Sequence, residues 1–183
     1  MQIQVRQSKI RDVAAVDIIS VRRERRDEQS VIAAINIAAF GRPDEADLVD
    51  RLRHEGVVLA SFVAEMDEQI VGHILFSRML IETPGARLAA VAMAPVAVTP
   101  ERQRLGVGSH LIREGVAWLR ARGEHVVVVL GHPDYYARFG FSTALARALA
   151  SPFPSQAFMA LELVPGALDG IRGTVRYPDA FGL

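Results

Sequence analysis

The sequence predicts a mixed α/β fold in which one mixed sheet is covered by helices on both faces. Three observations predict it. Apolar runs of strand length alternate with segments of helical spacing, in the order strand, helix, helix, three strands, helix, strand, short helix, strands. A glycine-rich turn, Gln103-Arg104-Leu105-Gly106-Val107-Gly108, joins the last of the three strands to the helix behind it. The 183 residues, half of them apolar, are enough to bury the core of one domain.

Residues 1–18 read as an N-terminal extension with a helix start near Asp12, and 19–183 as the single domain. The first strand is 19–22. Arg22-Arg-Glu-Arg-Arg-Asp-Glu28 mixes charges and reads as a solvated connection to the first helix. Asp27 is placed to cap that helix, whose apolar positions Val31, Ile32, Ile35, Ala38 and Ala39 follow helical spacing. Pro43 and Asp44 open a second, more polar helix carrying Leu48, Val49 and Leu52, and Gly56 stops it.

Two strands, 59–64 and 70–76, flank a turn at Met66, Asp67, Glu68 and Gln69 and read as a hairpin. The third strand is 88–98. Pro95 inside it cannot donate to a ladder, so it demands a bulge, a distortion or an edge. The helix 108–122 gathers Leu111, Ile112, Gly115, Trp118 and Leu119 on one face, and Gly123 ends it. The β-branched run Val126–Leu130 is a buried strand. Residues 151–155, with their serines and prolines, form a loop rather than a linker. No repeat or low-complexity segment occurs.

Composition narrows the function classes. Twenty-one basic side chains balance 21 acidic ones. That excludes a general nucleic-acid or membrane-surface binder, for which a basic excess is expected. The apolar run 88–98, broken by Pro95, is about half the roughly 20 residues a membrane-spanning helix needs. No secretory leader pattern appears, so the cytoplasm is the expected location. The chain has no cysteine, which rules out a cysteine acyl-enzyme and a paired-cysteine metal site. The five histidines are scattered without ligand spacing, so no metal is expected.

The turn at 103–108 carries the chemistry. Gly106 and Gly108 remove side chains where the backbone turns and approaches a ligand. The first turn of the helix behind it offers unpaired N–H groups and the positive end of a helix dipole. Together they make an anion site of diphosphate size, and Arg102 and Arg104 add charge beside it. Other glycine loops fail on spacing: position 111 is Leu, where a P-loop, a dinucleotide fingerprint or a nucleophile elbow needs Gly or Lys-Ser/Thr nearby.

The Gln-x-x-Gly-x-Gly pattern resembles the acyl-CoA motif of the GNAT N-acetyltransferase superfamily. A second motif supports it. Gly131-His-Pro-Asp-Tyr-Tyr-Ala-Arg-Phe-Gly-Phe141 ends in Tyr136-Ala-Arg-Phe-Gly-Phe141, similar to the Tyr-x-x-φ-Gly-Phe signature that closes the cofactor site in that family. Its form, with Ala94-Pro-Val-Ala-Val98, looks like the YhbS-like branch of the family. The resemblance runs from about Ile19 to near the C-terminus. It implies the GNAT fold, a mostly antiparallel mixed sheet in a three-layer αβα arrangement.

The resemblance also implies roles. Acetyl-CoA would be the cosubstrate, with pantetheine along the backbone of Val96, Ala97 and Val98. Gln103 and the amides of Arg104, Leu105, Gly106, Val107, Gly108 and Ser109 would hold the diphosphate. Tyr136 would be the general acid for the departing thiolate, a phenol that stays protonated at neutral pH. Tyr135 beside it would pack in the core or touch the acceptor. His132 stands near a position where the family often carries Asn toward pantetheine; here it replaces that contact, accepts a proton or caps a turn. Glu24, Glu65 and Glu82 lie near strand ends and are equal candidates for a general base, as is water.

The expected function is transfer of an acetyl group to a primary amine by direct attack in a ternary complex. An acyl-CoA sensor without turnover and an acyltransferase using another acyl donor or an alcohol acceptor are the rival readings. The acceptor is expected against the helices between Asp27 and Glu55 and the segment 142–158. Its identity and the oligomeric state, a homodimer included, are open.

Overall fold

The computed structural model describes residues 18–153 and 156–183. The helix start expected near Asp12 falls outside them, as does all of the expected extension except Ile18. In chain order the elements are β1 (Ser20–Arg23), α1 (Gln29–Phe40), α2 (Asp44–Glu55), β2 (Val58–Met66), β3 (Gln69–Glu82) and β4 (Arg87–Val98). Then follow α3 (Val107–Ala121), β5 (Val126–Leu130), α4 (Pro133–Tyr136), α5 (Thr143–Ala146), β6 (Leu149–Ala150), β7 (Phe158–Glu162) and β8 (Gly173–Arg176). The strands form one sheet with the order β1-β2-β3-β4-β5-β7, and β8 pairs with the far end of β3 and with β6. Among the described strands only β4/β5 and β6/β8 pair in parallel.

Strand alternation builds the layers. Ile74 and Phe76 of β3 face α3 and join Leu111, Ile112 and Leu119 in one core. Leu75 between them faces the other way, with Ile32 of α1 and Val49 and Leu52 of α2. Gly115 lets α3 sit directly on the sheet, because a Cβ there would stand 2.3 Å from the Phe76 ring. Overpacking of that kind costs about 1–3 kcal/mol.

The expected elements are present with shifted edges. Gly56 and Gly123 end their helices with φ of 74° and 73°, and Asp67 and Glu68 take the left-handed conformation in the hairpin turn. β3 runs to Glu82, six residues past the expected end at Phe76. Its extension is held by β4 on one side and by β8, through Leu80, Ile81 and Glu82, on the other. Asp27 does not cap α1; it lies in a 3₁₀ turn, and the Glu28 carboxylate accepts from the Arg25 amide at 2.7 Å. Val31 and Ala38 point outward, and Asn36 takes a buried place on the helix instead.

The charged stretch 22–28 is solvated at Arg23, Arg25, Arg26 and Asp27, as expected, but Arg22, Glu24 and Glu28 are drawn into contacts. The Arg22 guanidinium donates to Glu28 at 2.6 Å and to Glu65 at 2.5 Å, which ties β1 to β2 and to the start of α1. Glu24 turns inward and accepts hydrogen bonds from Arg53 of α2 at 2.9 Å and from the Ser61 hydroxyl. Ser61 in turn lies 2.9 Å from Nε2 of His73, and Nδ1 of His73 lies 3.1 Å from Asn36 Nδ2. Because Asn36 Nδ2 is a donor, also bonded to the Ile32 carbonyl, the chain fixes His73 as the neutral Nε2–H tautomer.

His73 is fully buried, and burial first, then the Arg53 guanidinium, pushes its pKa down to about 3. The Glu24 carboxylate 3.9 Å away is already engaged by Arg53 and Ser61. An unfolded chain binds this proton near pH 6.5 and the folded one does not, so stability falls as pH drops from 6.5 toward 3. The expected slope from His73 is about 1.4 kcal/mol per pH unit. Denaturant melts of wild type and His73→Gln between pH 7 and pH 4 check this. The variant should lose that share of the slope, and parallel curves would remove His73 as the titrating group.

Candidate active site

Two departures from regular pairing open the site. Between the pairs Ile74↔Val96 and Phe76↔Met93, β3 contributes Leu75 alone while β4 contributes Ala94 and Pro95, so β4 bulges at the proline as its missing N–H requires. Next to that bulge β4 and β5 part company. Only Val91↔Val127 and Ala92↔Val128 pair, and beyond Ala92 the β5-facing edge of β4 is without a ladder partner. A cleft runs through this gap.

One end of the cleft is a cavity of about 690 Å³ lined by Val96, Val98, the 102–109 segment apart from Leu105, and the side chains of His132, Tyr135 and Tyr136. Arg104 and Gly106 adopt left-handed φ of 63° and 92°, which turns the chain into α3. Among the described residues, none of the amides 104–109 donates to a backbone acceptor; the first to do so is His110, to the Gly106 carbonyl at 3.0 Å. This row of N–H groups at the start of a 15-residue helix suits a diphosphate.

The expected cofactor residues divide into three kinds. Arg104, Gly106, Val107, Gly108, Ser109, Val96 and Val98 line the cavity. Gln103 also borders it, but its amide nitrogen donates to the Val98 carbonyl at 3.1 Å, so the side chain braces the loop against β4. Leu105 is half exposed and Ala97 is buried opposite His73; neither side chain reaches the cavity. Arg102 borders the cavity while pairing with Asp67 at 3.0 Å.

Gly108 has a reason the sequence did not reveal. A Cβ there would lie 2.9 Å from the Tyr135 hydroxyl, so the glycine makes room for that phenol at the start of α3. Tyr135 packs against the core, one of its expected places, and also borders both cavities. Arg138, which sequence reasoning passed over, stacks its guanidinium over the Tyr135 and Phe139 rings at 5.3 and 5.6 Å. Its Nη2 lies 3.4 Å from Ser109 Oγ, bringing a cation to the start of α3. Its place inside the Tyr136-Ala-Arg138-Phe motif was the available signal.

Tyr136 sits at the waist of the cleft. Its ring packs on Gly131, where a Cβ would approach to 2.3 Å, and stands edge-on to Tyr135 and Phe141. Burial first, then Tyr135, pushes its pKa up to about 12, so the phenol holds its proton. His132 caps α4 by accepting the amides of Tyr135 and Tyr136 on its carbonyl at 3.1 and 3.2 Å, while its side chain borders the cleft. Glu24, Glu65 and Glu82 are all engaged by arginines, and none lines the cleft.

Beyond the waist the cleft continues into a second cavity of about 460 Å³. Phe40 and Leu48 of the first two helices and Phe153 border it; all three lie in the segments named above. Tyr177 and Phe181 also border it and were not foreseen. Among the described residues no group of three His, Cys, Asp or Glu side chains could hold a metal, and no helix is long and apolar enough to cross a membrane.

A bulged strand splayed from its parallel neighbour, with a row of open amides at the following helix, is the arrangement that the resemblance to acyl-CoA transferases implies. Residues 20–144 match the acetyltransferase (GNAT) domain, and the chain belongs to that family. Its enzyme class is N-acetyltransferase. The chain is 36% identical over 153 residues to the uncharacterized N-acetyltransferase YhbS of Escherichia coli K12, covering 82% of this chain and 90% of that protein. The crystal structure of the E. coli GNAT family N-acetyltransferase YhbS in complex with CoA superposes with a TM-score of 0.84 at 33% identity, over 92% of this chain and 94% of that one. A Brucella melitensis GNAT family acetyltransferase in complex with acetyl-CoA superposes with a TM-score of 0.75 at 36% identity, over 91% and 99%.

Proposed function

We propose that this protein is an acetyl-CoA-dependent N-acetyltransferase that acetylates a primary amine by direct attack within a ternary complex, through one domain spanning residues 19–183. The observation that carries the reading is the row of amides 104–109, open at the start of α3 beside the gap between β4 and β5. The relatives crystallised with CoA and acetyl-CoA support the same donor.

The amides of Arg104 to Ser109 hold the diphosphate, with Arg138 and Arg104 adding positive charge. Pantetheine runs along β4 at Val96, Ala97 and Val98, whose unpaired backbone edge is available to it. A main-chain N–H of that edge polarises the thioester carbonyl. The neutral amine attacks the carbonyl carbon, a C–N bond forms and the C–S bond breaks. Tyr136 gives its proton to the departing thiolate and is reprotonated by solvent, and the proton lost by nitrogen leaves through water. With no cysteine in the chain, no thioester forms on the protein.

Calorimetry with acetyl-CoA tests the donor, and thiol detection in the presence of amines tests the transfer. Binding in the micromolar range (roughly −8 kcal/mol) and amine-dependent CoA release are expected. Binding without release from any amine would favour a sensor; no binding would end the reading.

A further inference from the structure

The cavity beyond the waist has a chemistry that names its ligand class. It meets the donor end at Val96, His132, Tyr135 and Tyr136, so whatever occupies it presents its reacting atom there. Its walls are apolar and aromatic. Phe153 stands edge-on to Tyr177 at 5.4 Å, and Tyr177 is tilted against Phe181 at 4.8 Å. Phe40 from α1 and Leu130 from β5 face the same space and are 40% and 41% exposed, so both leave apolar surface uncovered at its rim.

The Phe181 side of the aromatic wall is held in place. The Glu55 carboxylate of α2 accepts the amides of Asp179 and Ala180 at 3.2 and 2.8 Å. Arg51 of the same helix donates to the Ala180 carbonyl at 2.8 Å. These three bonds fix the turn that carries Phe181. A wall set in advance needs no ordering when a ligand arrives.

Charge is sparse and of one sign. Among the described residues Glu45 is the only carboxylate bordering the cavity, and no lysine or arginine borders it. The Glu45 side chain is 16% exposed and pairs with the outer Arg42 at 2.7 Å. One carboxylate among aromatic faces suits one ammonium on an apolar body. A polyamine or aminosugar would leave further cations or hydroxyls without partners against these walls, which is costly.

We propose that the acceptor is a monoamine carried on an aromatic or branched apolar body, steered by Glu45 and seated on the Phe153–Tyr177–Phe181 wall. This rests on the acetyl-CoA reading above and names the substrate class of that same site. The amine arrives as an ammonium attracted to Glu45, loses a proton to water, and attacks at the waist as the neutral nucleophile.

Acetyl-CoA binding by calorimetry and CoA release are measured on the same full-length protein. The amines are 2-phenylethylamine, tryptamine and leucinamide, set against spermidine and glucosamine. The apolar amines should show kcat/KM at least tenfold above the polar ones. Glu45→Gln and Phe153→Ser should each raise KM for 2-phenylethylamine about tenfold, equivalent to about 1.4 kcal/mol, and leave the acetyl-CoA Kd unchanged. Phe153 borders this cavity and not the donor end, so its variant separates the two. Preference for spermidine or glucosamine overturns the inference, as does acetyl-CoA binding with no release from any amine of the panel. Failure to bind acetyl-CoA overturns the donor reading itself.

Discussion

Tyr136→Phe should lower kcat by about 10²–10⁴-fold, or about 3–5 kcal/mol of transition-state stabilisation. The substitution removes only a hydroxyl from a ring packed between Gly131, Tyr135 and Phe141, so fold and acetyl-CoA affinity should persist. The loss belongs in kcat because the proton is needed only as charge develops on sulfur. The phenol's pKa near 12 keeps it protonated throughout the working range, so the acid should impose no fall in rate as pH rises through 8 and 9. Tyr135→Phe is the internal comparison. Its hydroxyl lies at Gly108, on the donor end, so its effect should fall on KM for acetyl-CoA rather than on kcat. Equal small effects at both positions would remove Tyr136 from the chemistry.

Gly106→Glu should abolish acetyl-CoA binding, a loss of at least 100-fold in Kd, or about 3 kcal/mol. A Cβ at Gly106 meets nothing closer than 3.8 Å, so steric conflict with the protein is not the cause. Two other effects act. The φ of 92° strains any residue with a side chain, by about 1–2 kcal/mol. A carboxylate then stands among the amides meant for the diphosphate. Gly106→Ala separates the two, since it carries the strain without the charge and should lose much less. Calorimetry on both variants, with circular dichroism to confirm folding, decides the matter. Undiminished binding by a folded Gly106→Glu protein would mean the anion site lies elsewhere.

The turn at 103–108 was legible in the sequence because its backbone shape is set locally. Gly106, Gln103 and the helix behind them are neighbours along the chain, and turn stereochemistry ties residue type to backbone shape at short range. Pro95 announced the β4 bulge for the same reason: a residue without an N–H interrupts a ladder wherever it sits. The second cavity was half legible. Phe40, Leu48 and Phe153 lie in the segments expected to flank it, whereas Tyr177 and Phe181 reach it only because β8 pairs with β3 and Glu55 grips the turn at 179–181. No local pattern encodes a contact 125 residues apart in the chain. The charged stretch 22–28 was legible only in part: four of its residues face solvent as composition suggests, but the partial burial of Glu24 depends on Ser61 and Arg53 being brought to it. β3 was read short because Ser77 and Arg78 break its apolar run, and Arg78 is accommodated by the distant Glu124 at 2.6 Å.

The seam between β4 and β5 has a consequence for the lifetime of the molecule. Two residue pairs are all that stitch the halves of the sheet together there. A donor lying in that seam would supply rungs the polypeptide omits, so ligand and sheet would melt as one unit. By mass action, acetyl-CoA at 100 times its Kd would add about 2.7 kcal/mol to the folding free energy. The unfolded fraction would then fall about 100-fold at that donor concentration, and resistance to proteolysis should rise with added acetyl-CoA.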